Sequence, residues 1–186
     1  MFLRITLWAL VLSVTQLAYG QYQPEMTMHR IQAGELDATG WTTAQSTEGR
    51  FTVRLPLRFN DFTVAETDPN SVAAKTFAVG AKSAEGIKFS ATRVTYRKPG
   101  AAANRFSQIE NGEAFPTKPT SIKKIQHRGF KAVDVTLSNS SSVAYQRVLL
   151  VGPDIVTLIV EAPLPQRDLA MRLVPTFFES VTIEPQ

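Results

Sequence analysis

One stretch organises the hydrophobic pattern: residues 143–162 read VAYQRVLLVGPDIVTLIVEA, two apolar runs broken at Gly152-Pro153-Asp154. Gly and Asp suit a tight turn, and Pro cannot donate a ladder hydrogen bond, so the spacing predicts a hairpin. In its second strand, Ile155 and Ile159 point one way while Val156, Leu158 and Val160 point the other. A strand with no polar face needs cover on both sides. It therefore belongs near the middle of a sheet, with helices or long segments above and below it.

Shorter alternations surround this hairpin. Residues 41–47 predict a strand. In residues 50–55, Phe51, Val53 and Leu55 share one face, and Arg50, Thr52 and Arg54 the other. Residues 62–67 and 72–79 form a predicted hairpin across Asp68-Pro69-Asn70. Residues 87–97 predict a long strand whose phase breaks: Ile87, Phe89 and Ala91 share one face, Val94 and Tyr96 the other, which predicts a bulge at Thr92-Arg93. Residues 122–127 and 130–137 predict another hairpin about Arg128-Gly129, with Val133, Val135 and Leu137 inward and Asp134 and Thr136 outward. Two segments carry the helical period. Residues 101–111 place Ala102, Phe106 and Ile109 on one stripe and stop at Gly112. Leu169, Leu173 and Phe177 recur every fourth residue, flanked by Ala170, Val174 and Phe178, with Pro165 at the entry and a kink predicted at Pro175. Residues 180–184 predict a last short strand.

The first twenty residues read differently. Arg4 is their only charge, residues 5–18 are mostly apolar, and Ala18-Tyr19-Gly20 sets small residues at the two positions that signal peptidase reads. A leader over 1–20, cleaved between Gly20 and Gln21, is therefore expected, and with it a secreted or periplasmic protein. The apolar run is short for a membrane span, and no other stretch approaches that length. Residues 21–40 are polar and without a clear period; Met26, Met28 and Arg30 alternate with polar residues, which allows a short edge strand, but the stretch reads as a linker leading into one domain over 41–186. The length suits a single core that stands without disulfides. Arg4 is one of the twenty basic residues, so its loss lowers the formal charge from +4 to +3. That excess is too small to imply nucleic acid.

Candidate chemistry is sparse. With no cysteine, the chain offers no thiolate nucleophile and no cysteine-ligated metal. His29 and His127 are its two histidines, and neither has a second ligand at metal-binding spacing. No G-x-S-x-G elbow occurs. Ser121-Ile122-Lys123-Lys124 fits S-x-x-K in form only, because an extended stretch points Ser121 and Lys124 apart. Glu110, Glu113, Asp134 and Glu161 form no recognisable acid–base pair. No glycine-rich phosphate loop opens a helix, and no cofactor is expected. Basic residues gather around the third hairpin, and Lys123, Lys124, Arg128 and Lys131 form a candidate patch for an acidic partner or an anionic surface. A solvated edge that blocks sheet-to-sheet aggregation accounts for the same charges.

The run Gly49-Arg50-Phe51-Thr52-Val53-Arg54-Leu55-Pro56 resembles the G-x-F-x-V-x-L-P opening of PsbP-like domains. Arg128-Gly129 in a hairpin, Arg147 ahead of the Gly152 turn, and the closing Phe177-Phe178-Glu179-Ser180-Val181 are similar to the later part of that pattern. The superfamily also holds the Ran-binding protein Mog and many exported bacterial proteins. The resemblance covers about three quarters of the chain and implies an α+β fold: a central, mostly antiparallel sheet with helices on both faces, an α/β/α sandwich. It carries no catalytic or metal-binding residue over to this sequence. The expected function is that of an exported, non-enzymatic module that binds a protein partner or an envelope surface. Two other readings stay open: a carrier of a small ligand or metal ion, and a hydrolase with an unrecognised site.

Overall fold

The computed structural model describes residues 22–184. The expected leader and its cleavage site at Ala18, Gly20 and Gln21 lie outside them. In chain order the elements are β1 (Glu25–Ala33), β2 (Thr42–Gln45), β3 (Phe51–Leu55), β4 (Phe59–Ala65), β5 (Ala73–Lys82), β6 (Lys88–Tyr96), α1 (Ala101–Glu110), β7 (Ser121–His127), β8 (Phe130–Ser138), β9 (Ser142–Val151), β10 (Asp154–Pro163), a 3-10 turn (Leu164–Gln166), α2 (Arg167–Glu179) and β11 (Thr182–Ile183). Eight strands form one antiparallel sheet in the order β1-β4-β5-β6-β10-β9-β8-β7, and three form a second in the order β11-β3-β2.

The doubly apolar strand lies where its composition requires, with β10 between β6 and β9 inside the large sheet. Val156, Leu158 and Val160 are fully buried on one face, and Ile155 on the other. The first three belong to a cluster that includes Phe51, Val53 and Leu55 of β3 and Ala170, Phe177 and Phe178 of α2. Ile155 joins Val133, Val135 and Val148 under Ala102, Phe106 and Ile109 of α1. Both predicted apolar stripes thus meet the sheet, and each helix rests on β9 and β10.

The expected α/β/α sandwich is overturned. Half of the described residues are in strands and 16% in helices, with two helices among them. One face of the large sheet is covered jointly by α2 and by the small sheet, while α1 packs on the other, over β6, β9 and β10 and against Val133 and Val135 of β8. Two helices of 10 and 13 residues cannot make layers over eight strands. A doubly apolar strand demands cover but does not specify helical cover. The alternation at Phe51, Val53 and Leu55, one face of a strand, turns out to be the inner face of a covering sheet.

Three local expectations also change. Between β1 and β4, Glu25–Ala33 is a paired strand, although this polar stretch shows no clean alternation. No register shift occurs at Thr92-Arg93; β6 runs in continuous register with both β5 and β10 through that point. The apparent break in phase arises because Arg93 occupies a core-facing position, 3% exposed, where a hydrophobic residue would be expected. Asp134 and Thr136 do not face open solvent; they line a cleft beneath α2.

Candidate functional site

Two places concentrate polar chemistry on or under the large sheet, and a third concentrates exposed apolar surface. The first is an ionic junction beneath the C-terminal end of α2. Cross-strand pairing sets Asp134 of β8 opposite Arg147 of β9, and directly opposed residues share a face. The Arg147 guanidinium donates to both oxygens of Asp134, from Nε at 2.8 Å and from Nη2 at 3.0 Å, and its Nη1 donates to Glu179 Oε1 at 2.6 Å. The same Nη1 lies 3.1 Å from His127 Nδ1. A guanidinium has no acceptor, so His127 accepts through Nδ1 and carries its proton on Nε2. That Nε2 is buried without a hydrogen-bond partner. The guanidinium also lies over the Phe178 ring, 5.1 Å from its centre.

Electrostatics follow from this packing. Burial opposes the charge on Arg147, yet its hydrogen bonds to Asp134 and Glu179 outweigh it and raise its pKa. The Arg147 hydrogen bond holds the Glu179 carboxyl below the usual glutamate range. Burial, and then the Arg147 charge, push the His127 imidazole below the ordinary histidine value. The adjoining cleft of about 290 Å3 is lined by Tyr145, Gln146, Val174 and Pro175 together with these charges. Its carboxylates are bound to Arg147, and the junction clamps α2 to the sheet.

The second place is a buried ion pair. Arg93 Nε and Nη2 each lie 2.8 Å from Asp154 Oδ2, and Nη1 donates to the Gly49 carbonyl at 3.2 Å. It ties β6 and β10 to the turn between β2 and β3. The fully buried Asp61 of β4 does similar work at the other end of that turn. It accepts from the Thr47 backbone N–H at 2.9 Å and lies 3.7 Å from Arg30 Nε.

The third place is β1, an outer strand of the large sheet. Its His29 Nε2 is 2.8 Å from Thr63 Oγ1, and Arg30 Nη2 donates to Thr47 Oγ1 at 3.1 Å. These contacts pin one face of β1. Met26 and Met28 pair with Val64 and Phe62 on the opposite face, where α1 does not reach. Five of the eight exposed large hydrophobic residues among the described ones fall between positions 22 and 36: Tyr22, Met26, Met28, Ile31 and Leu36, 45–70% exposed. The sequence signal for this was available in Met26 and Met28, but a strand exposed on both faces shows no burial period.

The basic residues of the third hairpin do not share one surface. Lys123 pairs opposite Asp134 and lies on the α2 side of β7. Lys124 faces the α1 side, with Nζ 3.9 Å from Glu110. Lys131, opposite Gln126, shares that second face. Arg128 bonds to the rest of the chain: Nη1 donates to Thr182 Oγ1 at 3.1 Å and Nη2 to the Glu179 carbonyl at 2.8 Å. Ser121 and Lys124 stand on opposite faces of β7. Among the described residues no group of three His, Asp or Glu side chains could hold a metal ion, and no helix is long and apolar enough to cross a membrane.

No protein-family model matches the chain, and no curated protein matches it. Among solved structures it is similar to cyanobacterial PsbP (CyanoP) from Synechocystis sp. PCC 6803, at 10% identity and a TM-score of 0.49, covering 82% of this chain and 97% of that one. It is also similar to LpqN of Mycobacterium tuberculosis, described as involved in cell envelope biogenesis, at 15% identity and a TM-score of 0.39, covering 89% and 91%.

Proposed function

We propose that this chain is an exported, non-enzymatic module that binds a protein partner along the β1 side of its large sheet. The observation that carries this reading is the clustering of exposed apolar side chains on and beside one edge strand. An edge strand presents unpaired backbone donors and acceptors, and folded proteins normally blunt such edges with charge. The other edge, β7, follows that rule with Lys123 and Lys124. β1 has no lysine; beside its charged Glu25 and Arg30 it exposes Met26, Met28 and Ile31. Flexible methionines suit a surface that adapts to a partner. The leader-like segment over 1–20 supports export. The ion pairs under α2 support a structural rather than a catalytic use of the strongest polar cluster.

Photocrosslinking of the exported protein in its own cell tests this reading. A photoreactive residue in place of Met28 is expected to give a specific product, and one in place of Lys123 is not. Met26→Glu combined with Met28→Glu is expected to lower the yield about a hundredfold, because burying two methionines is worth about 3 kcal/mol, with the melting temperature unchanged. Charge reversal at Lys123, Lys124 and Arg128 is expected to leave the yield unchanged. Crosslinks from Lys123 and none from Met28 would overturn the assignment to β1.

A further inference from the structure

We infer that the occupant of the free β1 edge is β1 of a second copy of this chain, in antiparallel register centred on Thr27. The inference rests on the reading of β1 as the docking edge and names its partner. The pairing of β1 with β4 is regular from Glu25 to Met28, and the first register shift follows between Met28 and Arg30. The flat part of the strand is therefore short, and Thr27 lies within it. A two-fold axis through Thr27 sets Thr27 against its copy, Met26 against Met28 of the second copy, and Glu25 against His29 of the second copy. Directly opposed residues in an antiparallel pair share a face. Met26 and Met28 already share a face with Val64 and Phe62, so the four methionines and their neighbours would form one apolar strip across the axis. Thr27 pairs with Thr63, and His29 bonds to Thr63, which places Glu25, Thr27 and His29 together on the other face. Glu25 and His29 of opposite copies then stand across from each other twice, once on each side of the axis, with each His29 Nε2 already held by its own Thr63 and 4.0 Å from Glu48. A shift of the centre to Met26 sets Glu25 against Thr27 and loses both pairs.

The two edges of the sheet also fix the size of the assembly. Isologous pairing uses the β1 edge of both copies, and both outer edges that remain are β7, each with its lysines. Like charges facing each other there oppose further addition, so the pairing closes at two.

The absence of cysteine from the natural sequence makes the test direct. Thr27→Cys, in the full chain recovered from the exported fraction, is expected to form a disulfide-linked dimer under mild oxidation. Lys123→Cys is expected to stay monomeric. Without crosslinking, the natural chain is expected to sediment as a dimer that dissociates on dilution, and Met28→Arg is expected to shift it to monomer at the same concentration. A natural chain that stays monomeric throughout the dilution series, with Thr27→Cys no faster to crosslink than Lys123→Cys, would overturn the inference. So would a dimer that crosslinks through Lys123→Cys instead. If that monomer still gives a product with a different protein from position 28, the docking reading stands and only its partner is wrong. No product from position 28 of any kind overturns both.

Discussion

His127 holds a neutral imidazole against a guanidinium, with Nε2 enclosed and unpartnered. That arrangement makes it acid-sensitive. Its pKa is lowered by burial and by Arg147, with Arg128 adding in the same direction and Glu179 and Asp134 opposing. In the unfolded chain it returns to the ordinary value of 6.5. As pH falls below that value, the unfolded state takes up a proton that the folded state still refuses. Stability is therefore constant above 6.5 as far as this group is concerned, and is lost progressively below it until the folded value is passed. Melting temperatures from about pH 8 to pH 5 are expected to fall in the natural chain and to be flatter in His127→Gln over the same window. The Arg93–Asp154 pair gives a second residue-scale prediction. Both side chains are about 3% exposed. Arg93→Met is expected to cost about 3 kcal/mol in urea unfolding, because a carboxylate stays in the core without this guanidinium. The double variant Arg93→Met with Asp154→Leu is expected to recover more than half of that loss, since a buried pair often contributes little beyond its apolar replacement.

At the scale of elements, much was legible because burial has a period. α1 stands where Ala102, Phe106 and Ile109 recur, and all three are buried. The central hairpin falls at Ser142–Val151 and Asp154–Pro163, as its apolar runs require. What sequence patterning could not supply was the identity of polar core positions. Arg93 and Asp134 read as breaks or as solvent-facing residues, because a charge paired inside a fold looks like an exposed one until its partner is known. Gly49, the first residue of the PsbP-like run, has a physical reason that patterning also hides. A Cβ there would lie 2.6 Å from Phe51, 2.7 Å from Phe77 and 2.7 Å from Ser46, while its carbonyl receives Arg93. The turn between β7 and β8 carries a testable strain. Arg128 has φ 49° and Gly129 φ 85°, both in the left-handed region that disfavours a side chain. Arg128 remains there because its guanidinium bonds the Glu179 carbonyl at the end of α2, where a cation also suits the helix dipole. Arg128→Ala keeps the backbone strain and removes the anchor, whereas Arg128→Gly removes both. The glycine variant is expected to be more stable than the alanine variant by about 1 kcal/mol in denaturant unfolding.

For the molecule as a whole, the small sheet decides whether this is one folding unit or two. β2, β3 and β11 pair only with one another, so they could in principle detach as a flap. Their packing argues otherwise. Phe51, Val53 and Leu55 are no more than 1% exposed and lie in the same continuous cluster as Val156, Leu158 and Val160 at the middle of the large sheet. Lifting the flap would bare the centre of the molecule and would also open the contacts of Arg93 with Gly49 and of Asp61 with Thr47. A chain starting at Gln21 has a single tryptophan, Trp41, next to β2 with the Arg54 guanidinium 5.9 Å from its ring centre. Its fluorescence therefore reports the small sheet, while far-ultraviolet circular dichroism is dominated by the eight strands. Urea unfolding followed by the two signals is expected to give coincident midpoints and slopes, as for a single cooperative unit. A Trp41 transition at lower urea than the dichroism transition would mean that the covering sheet opens first, and the shared cluster would then not be what holds the two sheets together.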